Sequence, residues 1–154
     1  MSTTRISREL LVGRVAVYAA LVDPDAVAKW MVPDGMRSRV HEFDPREGGA
    51  FRITLTYDEP TRVGKTTSTT DSYHGTFIRL VPGREVIQEM EFETEDRMML
   101  GRMRIKFTLE DVDGGTRLTA EHLNLPPGVS PSDNYTGWTM SLDKLERLLA
   151  PSAS

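Results

Sequence analysis

Apolar residues recur along this chain with two different periods, and the change of period divides it into elements. From Arg5 to Leu11 the spacing suits a first strand. After Gly13, the run Arg14 to Leu21 reads as a helix that Asp23-Pro24 ends. Asp23 can cap a second short helix, with Pro24 in the first turn, where a missing N–H costs nothing. That helix, Asp25 to Met31, carries Val27 and Trp30 on one side, and Pro33-Asp34-Gly35 breaks it.

Period two then takes over. Arg37 to Phe43 reads as a strand, with Asp44-Pro45-Arg46-Glu47-Gly48-Gly49 as its turn. Phe51, Ile53, Leu55 and Tyr57 alternate with Arg52, Thr54, Thr56 and Asp58, which marks a half-buried strand. Glu59 to Thr67 reads as a polar hairpin loop, Thr69 to Val81 as the next strand and Pro82-Gly83 as a turn. In Thr69 to Val81 the phase is divided: Tyr73 and Phe77 compete with Ile78 and Leu80 for the inside. Val86, Gln88, Met90 and Phe92 form one further stripe; Met99, Gly101, Met103, Ile105, Phe107 and Leu109 form another. Asp113-Gly114-Gly115 suits a hairpin turn, and Thr116, Leu118, Ala120 and His122 continue beyond it.

Pro126-Pro127-Gly128 closes the strands, and Ser130 or Ser132 can cap a last helix through about Leu149. It would be roughly 25 Å long, with Tyr135, Trp138, Leu142, Leu145 and Leu149 at helical spacing. Each strand has one apolar face needing cover, and this helix is the only large cover. The pattern predicts one α+β domain over 1–150: about seven antiparallel strands curled around the C-terminal helix, with two short helices after the first strand. Curling leaves space between helix and sheet.

Composition narrows the chemistry. The 154 residues fit one domain, and the formal net charge of −4 argues against nucleic acid, whose binding needs clustered Lys and Arg. With no cysteine, disulfides, thiolate nucleophiles and Cys-ligated zinc are excluded. No apolar run approaches the ~20 residues of a membrane span, and the start, Met1-Ser2-Thr3-Thr4-Arg5, lacks the apolar core of a secretory signal. The expectation is a cytoplasmic protein with a short disordered tail at 151–154.

Several stretches in this order resemble a known superfamily. They are Val15 to Pro24, Ala28-Lys29-Trp30, Phe43 to Arg52, His74-Gly75-Thr76-Phe77, Gly115 to Thr119 and Gly137-Trp138. Together they resemble the START/birch-pollen-allergen-like (SRPBCC) helix-grip fold, and within it the branch named for the activator of heat-shock-protein-90 ATPase. The resemblance implies an apolar cavity between sheet and helix. Members of the superfamily include lipid and hormone binders, polyketide cyclases and oxygenase-linked subunits. Two features depart from the chaperone activators: they add a separate N-terminal domain, for which this chain leaves no room, and Tyr18 stands where the branch usually has Trp.

Strand parity gives the candidate lining of that cavity: Trp30, Phe51, Ile53, Leu55, Tyr57, Tyr73, Phe77, Met90, Phe92, Met99, Met103, Ile105, His122, Trp138 and Leu142. For any one of them, filling a core is the simpler role. Together, aromatics and methionines suit an adaptable apolar site. Gln88 and His122 are polar positions on apolar stripes; they bond each other, the backbone or water, or they orient a ligand. Gly137 interrupts a helix, which close packing on the sheet or room for a ligand would explain.

His41, His74 and His122 lie on different strands, His74 facing outward, so no metal site is expected. No nucleophile elbow or phosphate loop is present, and the sequence asks for no cofactor. Arg102, Arg104 and Lys106 beside Glu85, Glu89, Glu91 and Glu93 read as cross-strand ion pairs. The first functional expectation is a binder of an apolar or aromatic small molecule. The second is a cyclase- or hydrolase-like enzyme using His122 with Tyr57 or Tyr73. The third is an interaction domain, with a chaperone or a second copy of the chain as partner.

Overall fold

The computed structural model describes residues 2–58 and 70–150. The hairpin loop expected at 59–67, most of the Ser/Thr run at 66–70 and the tail at 151–154 lie outside the described residues. The elements follow the expected order. They are β1 (Ser2–Leu10), α1 (Arg14–Leu21), α2 (Pro24–Trp30), β2 (Met36–Phe43), β3 (Ala50–Tyr57), β4 (Thr70–Val81), β5 (Glu85–Phe92), β6 (Met103–Val112), β7 (Gly115–Leu125) and α3 (Pro131–Leu149). The strands form one antiparallel sheet in the order β1-β7-β6-β5-β4-β3-β2, with β1 and β2 at its edges. The fold is therefore the α+β helix-grip arrangement.

The caps form as the local sequence requires. Asp23 accepts from the Asp25 amide at 3.0 Å, with Pro24 opening α2. Ser130, not Ser132, caps α3, accepting from the Asp133 amide at 3.3 Å. Helix α3 lies against β1 and both short helices. Two polar clamps hold it there. Arg8 of β1 pairs with Asp143 at 2.7 Å. Lys144 donates to the Val32 carbonyl at 2.6 Å and pairs with Asp34 at 3.1 Å, so its ammonium ties α3 to the α2–β2 connection.

Irregularities in the ladder resolve the ambiguous strand. β4 carries a bulge between Phe77 and Arg79, so Phe77 pairs with Gln88 while Leu80 pairs with Val86. The extra residue resets the phase. Tyr73 and Phe77 point inward before it, Leu80 packs on the core after it, and Ile78 is left on the outside. Gly75 allows β4 and β5 to approach closely. A Cβ there would lie 1.9 Å from the Glu89 carbonyl oxygen and 2.8 Å from Met90 Cα.

The structure departs from the sequence pattern at three places. β6 begins at Met103, so Met99 and Gly101 belong to the connection before it. Thr94 and Asp96 side chains accept from the amides of Asp96 and Met98, which folds a local turn; Gly101 at φ +132° then breaks the extended run. On α3, Tyr135 is 48% exposed, and Asn134 takes the inward place one turn before Trp138. Gly137 does not pack on the sheet: a Cβ there would meet only Pro33 Cγ, at an ordinary 3.7 Å.

Candidate functional site

Inner-face side chains line up in rows across the sheet. Register puts Ile53, Tyr73 and Phe92 in one row and Phe51, Gly75, Met90 and Met103 in the next. Phe77, Gln88, Ile105, His122 and Thr4 form a deeper row. Leu55 pairs with Asp71 beyond the first row, and Asp71 is itself buried. It shares the parity of Tyr73 and Phe77, which was the signal for its position.

Most of the expected residues do converge here. Phe51 stacks edge-on or tilted against Tyr73 and Phe77 at 6.4 and 5.4 Å between centroids. Phe107, which the parity rule left among the core, meets Trp138 at 5.8 Å and Trp30 at 6.3 Å. Trp30 sits under the short helices, fully buried, its indole N–H donating to the Ala20 carbonyl at 2.9 Å. Ile53, Met90, Met103, Ile105 and Leu142 are all buried. Leu55, Tyr57, Phe92, Met99 and Trp138 are only half-covered.

Leu55, Tyr57, Phe92 and Met99 lie toward one end of the sheet, where β3 and β5 finish, whereas Trp138 covers the deeper His122 and Phe107. Exposed Met98, Leu100 and Tyr135 lie at that same end. The β5–β6 connection crosses to the loop before α3 there, the Gly128 amide donating to the Met98 carbonyl at 2.6 Å. The deeper interior is filled: Phe51, Phe77, Met90, Met103, Phe107 and Leu142 are each at most 5% exposed.

Two of the concavities on the described surface lie away from the sheet–helix interior. One, of about 360 Å³, lies between the start of α1 and the Pro82-Gly83 turn. The other, of about 540 Å³, is on the outer face over β3–β5. Its charges are mutually engaged: Arg52 grips Glu93 with two hydrogen bonds of 2.8 and 2.9 Å, and the His74 ring lies between Glu93 and Glu91 at 3.1 and 3.2 Å. The hydrogen bond from Arg52 chiefly holds the Glu93 carboxyl below the usual carboxylate range. Arg102 and Arg104 both reach Glu89, at 3.6 and 3.0 Å, so the positive and negative stripes do pair across strands.

The two inward polar residues are not bonded to each other. Trp138 Nε1–H, which can only donate, points at His122 Nδ1 at 3.3 Å, and Asn134 Nδ2 donates to the same atom at 3.1 Å. His122 is therefore neutral with its proton on Nε2, and that N–H donates to the Met103 thioether at 3.2 Å. Thr4 in turn donates to Asn134 Oδ1, so the network ties β1, β7, β6 and α3 together. Burial depresses the His122 pKa to about 4. Gln88 is 3% exposed, and its Oε1 has no hydrogen-bond partner among the described residues.

Tyr73 belongs to another row, three strands from His122. Burial, with a smaller push from the Asp71 charge, raises its phenol pKa well above the ordinary value. At neutral pH both groups are uncharged, and they do not share a row. Asn134 escaped the sequence reading, although its i,i+4 spacing to Trp138 was the available signal.

A curved sheet gripping one long helix defines the START-like (SRPBCC) class. Over residues 13–150 the chain matches the family of activator of Hsp90 ATPase homolog 1-like proteins, and it belongs to that family. A crystal structure of a Chromobacterium violaceum protein is 30% identical, with a TM-score of 0.87 over 97% of this chain and 98% of that one. An AHSA1 protein from Silicibacter pomeroyi, 22% identical, superposes with a TM-score of 0.79 over 96% and 97% of the two chains. A Mycobacterium smegmatis protein, 18% identical, gives 0.79 over 99% and 93%. No curated protein matches. Among the described residues no helix is long and apolar enough to cross a membrane, and no three His, Asp or Glu side chains converge to hold a metal.

Proposed function

We propose that this domain binds an apolar or aromatic small molecule between its sheet and α3. The observation that supports this is the half-covered apolar rim of Leu55, Tyr57, Phe92 and Met99, continuous with the buried Met90 and Met103. An apolar rim left open at one end of a core is ordinarily a recognition surface. Methionine side chains are unbranched and flexible, so the filled interior can make room without moving backbone. The molecule is admitted beside Met98 and Leu100.

Native mass spectrometry of freshly purified protein tests the reading, followed by melting with a panel of apolar aromatics. A co-purifying molecule, or a melting temperature that rises with ligand concentration, is the expected result. A bare protein whose melting no apolar compound shifts would refute it.

A second reading is a chaperone-binding domain. The family's name favours it, as do Leu11 and Val15, which are 76% and 83% exposed on the rim of the smaller concavity or beside it. Stimulation of a chaperone ATPase, abolished by Val15→Glu but not by substitutions in the interior, would support it over the carrier.

A further inference from the structure

We infer that the molecule held here carries a hydroxyl group, which docks between Gln88 and His122; this rests on the carrier reading above. Gln88 and His122 are both paired with Ile105, one on each side. Their Cα atoms are therefore two strand spacings apart, about 10 Å, on one inner row. The first offers an acceptor, Oε1, buried with no partner among the described residues. The second offers a donor, Nε2–H, whose only partner there is the Met103 sulfur.

A thioether is a weak acceptor, and an unsatisfied buried carbonyl costs free energy comparable to a lost hydrogen bond. One donor and one acceptor flanking an apolar residue are what a single hydroxyl satisfies: its oxygen accepts from Nε2–H while its proton goes to Oε1. A carboxylate or a ketone brings no donor and would leave Oε1 unpartnered in the orientation the Gln88 amide has here.

The donor's identity is fixed from behind. Trp138 and Asn134 both donate to Nδ1, so the ring cannot present a lone pair at Nε2 without losing them. The path to the row is also legible. Met90 and Met103 occupy the row between Gln88 and the open end. When Met103 swings away to admit a ligand, it frees the donor it had covered. Phe51, Phe77 and Phe107 remain to grip an aromatic body. The fitting class is an apolar, largely aromatic alcohol or phenol.

The experiment compares 1-naphthol with naphthalene, by calorimetry, on the full chain and on Gln88→Met. The inference expects 1-naphthol to bind about tenfold more tightly, and Gln88→Met to erase that preference while naphthalene binding persists. Equal affinity of the two probes overturns the hydroxyl site and leaves the carrier reading standing. Binding of neither overturns both. Should Gln88→Met fail to fold, the His122 Nε2 proton resonance of the unaltered protein decides. A downfield shift with 1-naphthol, whose oxygen is a stronger acceptor than the thioether it displaces, and no downfield shift with naphthalene supports the site; the same response to both overturns it.

Discussion

A histidine on an apolar strand face must be stabilised without its charge. His122 manages this by accepting at Nδ1 from Trp138 and Asn134 and donating at Nε2 to Met103. The arrangement has a consequence for pH. Burial lowers the folded pKa to about 4, while the unfolded chain keeps about 6.5. Between these values the unfolded state binds the extra proton. Stability is therefore full above about pH 6.5, falls as pH drops, and has lost this contribution by about pH 4. The loss is on the order of 3 kcal/mol. Urea midpoints at about pH 7 and pH 4.5 measure it, and His122→Gln should flatten the curve in that window. Glu93, held low chiefly by its hydrogen bond from Arg52, loses its stabilising effect only at lower pH, in the carboxylate range.

At the scale of the element, two glycines that look alike in sequence act oppositely. Gly75 lies where β4 presses on β5, and the atoms an added methyl would strike, Glu89 O and Met90 Cα, are backbone. No rotamer change relieves that clash, so Gly75→Ala should cost roughly 2–4 kcal/mol. Gly137 lies inside α3 with only Pro33 nearby, at van der Waals distance. Gly137→Ala should stabilise by about 0.5–1 kcal/mol, through helix propensity and a stiffer unfolded chain. Paired denaturant melts of the two variants give the opposite signs directly. The bulge after Phe77 belongs to this scale too. It lets Phe77 and Leu80 share one face, which no strict alternation permits.

Across the whole molecule, α3 is clamped to the rest of the grip while one end of the sheet keeps an apolar rim. Helix α3 is clamped at Arg8–Asp143 and Lys144–Asp34. The rim around Met98 and Leu100 is 52% and 44% exposed at those residues. Met98→Ser with Leu100→Ser should leave melting within about 0.5 kcal/mol of the parent. It should weaken 1-naphthol binding by roughly fivefold to tenfold, read by the same calorimetry. An unchanged affinity would place the point of access elsewhere.

The order of elements, the Asp23 cap and the inward parity of β3, β5, β6 and β7 were written in the sequence, because periodicity and capping act over a few neighbouring residues; the choice of Ser130 over Ser132 was not. Met99 was misplaced in β6, since the local hydrogen bonds of Thr94 and Asp96 outcompeted the alternation that continued through it. What tertiary structure alone decided were relations between distant positions: that Asn134 and Trp138 would fix the His122 tautomer, that Gln88 would keep a bare carbonyl one strand from Ile105, and that methionines would fill the space a curled sheet leaves. Those follow from which strands become neighbours and how side chains pack once they do, and packing is a property of the assembled fold that no local pattern encodes.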